Sequence, residues 1–145
     1  MTSIAQAEQS LAESRQLVNL ALGAAGMGWG TWDLGSGRGE VDGRTRELLG
    51  LIGDKGDLTV EQWLANVHPD DRPRLEAAIA AGARAGGVLD VAFRIVLPDG
   101  SHRHLRTVGM LFTDERQGGA RLTSILHDEM EQLRSERSLQ EAREN

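Results

Sequence analysis

Four histidines, at 68, 102, 104 and 127, and a complete lack of cysteine limit the chemistry open to this 145-residue chain. Without thiols there is no disulfide, thiolate metal site, cysteine nucleophile or flavin–cysteinyl adduct. His68-Pro69-Asp70-Asp71 sets an imidazole beside two carboxylates, donors that suit a divalent metal. The same run also reads as a break between helices, with proline and acidic groups placed where a helix begins. That second reading accounts for every residue but His68, so no metal is expected. His127-Asp128 invites comparison with a phosphoacceptor histidine. It falls where a strand gives way to a helix, however, and no Gly-rich ATP-binding segment accompanies it. Gly26-x-Gly28-x-Gly30 has the wrong spacing for a dinucleotide cradle and follows a helix instead of a strand. No Ser/His/Asp or paired-carboxylate set has supporting context, so the chain by itself is not expected to be an enzyme.

Sixteen Lys and Arg against twenty-two Asp and Glu give a net charge of −6, a poor match for nucleic acid or an anionic membrane surface. No run of about 18 apolar residues is present, so no membrane span is expected. The first residues have neither a basic nor an apolar leader region, and the expected location is the cytoplasm. The length fits one domain with a sizeable core.

These residues must be positioned by a small set of elements. Residues 3–22 form a helical pattern with Ile4, Leu11 and Val18 at heptad spacing, a seam too polar for a core helix. Leu22 extends its apolar surface just before Gly23. Two short extended stretches follow, flanking a Gly35-Ser-Gly37 turn as in a hairpin. Asp42 can cap a helix carrying Leu48, Leu49 and Leu51. Thr59-x-x-Gln62 is a capping box opening a helix with Trp63 on its apolar face. Asp70 or Asp71 can cap the Ala-rich helix that ends at Gly86-Gly87.

The period then changes to two. Leu89, Val91, Phe93, Ile95 and Leu97 alternate with other residues in a half-buried strand. A Pro98-Asp-Gly turn leads to a second strand, 102–113, and a Gln117-Gly-Gly119 turn leads to a third, 121–127. A charged helix follows from Asp128 to the end. Strands grouped together, not alternating with helices, indicate an antiparallel sheet and an α+β fold.

Ala24-Ala-Gly-Met-Gly28 leading to Trp32-Asp33, Arg46-Glu-Leu-Leu-Gly-Leu51, Val67-His-Pro-Asp-Asp-Arg72, Phe93-Arg94, Pro98-Asp-Gly100, Arg103-His-Leu-Arg106 and Asp128 occur in this order. On these motifs, across residues 20–132, the chain resembles a PAS domain of the bacterial subgroup with a C-terminal PAC-type motif. The resemblance implies a five-stranded antiparallel sheet in the order 2-1-5-4-3, with short helices over one face enclosing a small cavity. It divides the chain into an N-terminal flanking helix (1–22), the PAS domain (23–128) and a C-terminal signalling helix (129–145). It also implies a module upstream of an output domain such as a histidine kinase or a cyclic-dinucleotide enzyme: the favoured reading is a sensor that binds a small ligand between sheet and helices, and the alternative is a ligand-free dimerisation and relay module. Haem-binding relatives ligate iron from the helix before the third strand, and residues 74–86 contain no histidine. His102 or His104 would have to serve from a strand, so haem is not expected. Nor is flavin, for want of an aromatic platform and of a cysteine.

Apolar periodicity places Leu48, Leu49, Trp63, Ile79, Phe93, Ile95, Met110 and Ile125 around the cavity. Trp63 and Met110 are expected to fill part of it. Ile4, Leu11, Val18 and Leu22 are expected to pair with a second copy in a homodimer. Asp128-x-x-Glu131 is expected to cap the last helix and tie it to the sheet.

Overall fold

The structure is a computed structural model that describes residues 3–51, 58–114 and 119–144. The Gln117-Gly118 part of the expected turn, the first two residues and Asn145 lie outside the described residues. In chain order the elements are α1 (Ile4–Ala24), β1 (Gly28–Asp33), β2 (Arg38–Val41), α2 (Gly43–Leu48), β3 (Leu58–Thr59) and α3 (Val60–Ala65). After them come α4 (Arg72–Ala85), β4 (Gly87–Val96), β5 (His102–Asp114), β6 (Gly119–Asp128) and α5 (Glu129–Glu144).

The local signals act as their chemistry dictates. Asp42 accepts from the Thr45 N–H at 2.9 Å and starts α2. Thr59 and Gln62 exchange side chain-to-backbone bonds at the head of α3. A capping box that the sequence reading passed over, Ser3 with Gln6, opens α1. Asp71 departs from expectation. It precedes α4 but makes no cap bond, because its carboxylate is engaged by Arg94 on β4.

The sheet runs β3-β2-β1-β6-β5-β4, antiparallel at every junction. The five main strands thus take the expected 2-1-5-4-3 order, and the two-residue β3 adds a short sixth beside β2. The first and last strands pair at the centre, with Gly28 opposite Leu126 and Asp33 opposite Arg121. The free edge of β4 is partly closed by the segment before α4. There the Val96 N–H donates to the Asn66 carbonyl and the His68 N–H to the Arg94 carbonyl.

Helices α2, α3 and α4 lie over one face of the sheet, where Trp32, Leu48, Leu49, Trp63, Leu75, Phe93, Ile95, Leu105 and Leu122 form a single core. Helix α1 has no buried residue. Its second half stands over the opposite, outer face, near Trp29, Met110 and Ile125.

Candidate functional site

Two places gather residues that the sequence singled out. One is the core between helices and sheet. The other is the junction where α1 ends, α2 begins and α5 leaves β6.

In the core, Leu48, Leu49, Trp63, Ile79, Phe93 and Ile95 are all buried. Trp32 and Trp63 stack with ring centroids 5.1 Å apart, and Phe93 meets Trp63 edge-on at 6.1 Å. Gly39 on β2 gives Trp32 its place, since a side chain there would enter the indole ring. This aromatic packing leaves a cavity of about 10 Å³, lined by Leu49 and Trp63 together with Gly30, Trp32, Thr45, Thr107, Ser124 and Leu126. That volume is at the lower limit for one water molecule. The Trp63 Nε1–H, buried, has no hydrogen-bond partner among the described residues.

Met110 and Ile125 are not in this core. Along β5 the inward residues are Leu105, Thr107 and Leu111, so Met110 points to the outer face and is 45% exposed. Along β6, Ala120, Leu122, Ser124 and Leu126 are inward. Ile125 therefore also faces outward, where it lines a groove beneath α1 with Met110. The two-residue period of a strand allows no other outcome once Leu111 and Leu126 are inside. Apolar residues on both faces here hid the register.

At the junction, Asp128 Oδ1 accepts from the Met130 and Glu131 N–H groups at 2.9 and 3.1 Å, as the capping pattern predicts. Its other oxygen lies 3.9 Å from Arg103 Nε. Arg103 in turn donates to the Glu47 and Leu48 carbonyls at the end of α2, at 2.8 and 2.9 Å. Glu131 is met by Arg44, whose Nη2 donates to Glu131 Oε2 at 2.7 Å. The same guanidinium donates to the Gly26 carbonyl at 3.0 Å and to Glu47 Oε1 at 2.9 Å. Arg44 therefore joins the exit of α1, helix α2 and the first turn of α5. Sequence reasoning missed Arg44, because nothing local marks a bond spanning 87 positions.

Two of the histidines meet, without forming a metal site. His68 Nδ1 accepts from the Asp70 N–H at 3.1 Å, and its ring meets His102 edge-on at 4.9 Å. His104 is exposed on β5. Among the described residues no three His, Asp or Glu side chains converge as a metal site. No described helix is long and apolar enough to cross a membrane.

On α1, Ile4, Leu11 and Val18 are 80%, 53% and 55% exposed, while Leu22 is half-buried. Val18 and Leu22 border the groove over the outer sheet face. Ile4 and Leu11 have no part in that groove.

The PAS-fold family model matches residues 40–126. Over 116 residues the chain is 34% identical to the sensor protein FixL of Bradyrhizobium diazoefficiens, covering 79% of this chain and 23% of that protein. The chain thus spans about a quarter of that relative's length. A sensory box histidine kinase/response regulator from Burkholderia thailandensis superposes with a TM-score of 0.65 at 24% identity, over 88% of this chain and 95% of that one. The N-terminal domain of a diguanylate cyclase with PAS/PAC sensor from Marinobacter aquaeolei gives 0.60 at 18% identity, over 70% and 94%. The fold, its strand order and the family match together make this chain a member of the PAS-fold family.

Proposed function

We propose that this PAS domain is a cytoplasmic relay module that passes a conformational signal through α5 to a downstream output domain of the histidine-kinase class. The observation that carries the reading is the three-way junction. Arg44 and Arg103 connect α2, which packs on the core, to the capped start of α5. A cap contributes about 1 kcal/mol, and exposed ion pairs less. Such energies are small for a fold but comparable to the coupling of ~1–3 kcal/mol by which one site biases another. The similarity to FixL, a sensor protein, supports the same role. Between a cavity-binding sensor and a relay with a self-filled core, the cavity of about 10 Å³ favours the relay. The exposed Ile4 and Leu11 on the outer half of α1 support pairing with a second copy.

Hydrogen exchange across residues 129–140 tests the reading. Removing Arg44 (Arg44→Ala) should speed exchange in α5 and in the Gly26–Gly28 segment together while leaving β4–β6 protected. An α5 that already exchanges at the unfolded rate in the unmodified protein would end the proposal.

A further inference from the structure

The three central strands leave a hollow beneath the tryptophans. Ser124 on β6 lies between Gly30 on β1 and Gly109 on β5, so this row across the sheet carries a single hydroxymethyl group. The next row carries Trp32, Leu122 and Leu111. Gly30 and Ser124 accordingly line the core cavity of about 10 Å³. Small residues make only the hollow; the polar groups around it decide what it holds. Trp63 is 3% exposed, and its Nε1–H has no hydrogen-bond partner among the described residues. Ser124 is 8% exposed, and its hydroxyl has none either. Thr45 Oγ1 donates to the Trp29 carbonyl at 3.0 Å, and Thr107 Oγ1 to the Ile125 carbonyl at 3.2 Å. Each of these hydroxyls has spent its proton and keeps an oxygen able to accept. Trp63, Ser124, Thr45 and Thr107 all line the same cavity.

We infer that this cavity is a binding site for one internal water molecule. The water accepts from the Trp63 Nε1–H and the Ser124 hydroxyl and donates to Thr45 Oγ1 and Thr107 Oγ1. Two donors and two acceptors are the complement of a water molecule, and buried waters make two to four such bonds. An apolar occupant would leave the indole N–H unpaired, which is costly for a buried donor. A volume of about one water-sized sphere excludes anything larger. The water joins α2 and α3, through Thr45 and Trp63, to β5 and β6, through Thr107 and Ser124. Thr45 adjoins Arg44, so the same water steadies the helix from which the junction with α5 is held. The inference rests on the core alone and stands whether or not α5 drives a kinase.

Magnetic cross-relaxation between solvent water and the indole protons tests it on the whole chain. Expected is a water cross-peak at the Trp63 indole N–H, with opposite signs in the laboratory and rotating frames. That sign pattern marks a long-lived contact and separates it from proton exchange. Ser124→Val puts a branched side chain into the cavity and should remove the cross-peak, with unchanged circular dichroism showing that the fold persists. Should Ser124→Val not fold, a high-resolution crystal structure of the unmodified protein decides the matter: a solvent peak should lie within hydrogen-bond reach of Trp63 Nε1 and Ser124 Oγ. The inference is overturned by no cross-peak in the unmodified protein or by one that survives in folded Ser124→Val. It is equally overturned by a crystal structure in which Trp63 Nε1 meets a protein acceptor or no solvent at all.

Discussion

Asp71 sits at the head of α4 yet makes no cap bond to that helix, although Arg74 Nη2 lies 3.8 Å from its carboxylate. It accepts from the Arg94 N–H at 2.8 Å and from the Arg94 guanidinium at two atoms, each at 2.9 Å. The Arg94 side chain is the main reason its pKa falls from 3.8 to about 2, with burial opposing. A carboxyl with a depressed pKa stabilises the fold at every pH above its ordinary value, and that contribution disappears as pH drops through the folded value. Asp71→Asn should therefore cost about 1–3 kcal/mol at pH 7, measured by urea unfolding. It should also flatten the loss of stability that the unmodified protein shows between about pH 4 and pH 2. An unchanged acid limb would show that the pair does not contribute there. The other residue of consequence is Trp63, which fills the space a ligand would need. Trp63→Ala should destabilise the protein by about 3–5 kcal/mol, and added indole should recover part of the lost Tm by occupying the hole.

Among the elements, most helix starts were readable because each is decided by neighbours in sequence, the Ser3–Gln6 box and Asp71 being the exceptions. Asp42, the Thr59–Gln62 box and Asp128 all do what their spacing predicts. Strand alternation was equally readable in β4, where Leu89, Val91, Phe93 and Ile95 are the buried set. It was ambiguous in β5 and β6, where Val108, Met110, Phe112 and Ile125 give the outer face an apolar strip of its own. The Asp71–Arg94 pair and the Arg44 bridges were illegible, since they join residues whose proximity only the completed sheet creates. Two element-scale outcomes follow from the geometry. Asp128→Ala should lower stability by about 1 kcal/mol and raise hydrogen exchange through 129–140, with β4–β6 unaffected. Gly82→Ala should cost about 1–3 kcal/mol, because a methyl there meets the buried Leu111 side chain, which must shift to admit it. A thermal melt unchanged by Gly82→Ala would mean that Leu111 turns aside freely.

For the whole molecule, α1 is a loose attachment, a helix of 21 residues with nothing buried. Helices in proteins owe most of their stability to the packing of an apolar face, so its order depends on what covers Ile4 and Leu11. Deleting residues 1–20 should leave the melting of the sheet domain nearly unchanged while shifting sedimentation toward monomer. A sedimentation coefficient that falls only in proportion to the lost mass would place any pairing elsewhere.

The pairing of β1 with β6 has a further consequence, for synthesis on the ribosome. Trp29 meets its partner Ile125 only after nearly the whole chain has been made. Until then the β1–β2 hairpin, joined on its β2 side only by the two-residue β3, leaves the β1 edge open, and such small ribbons are at best marginally stable in water. Translation at about 5–20 residues per second leaves it waiting for several seconds with its indoles uncovered. The centre of this sheet is the last part to close, and a nascent chain stalled before residue 120 would be a substrate for chaperones rather than a partly working domain.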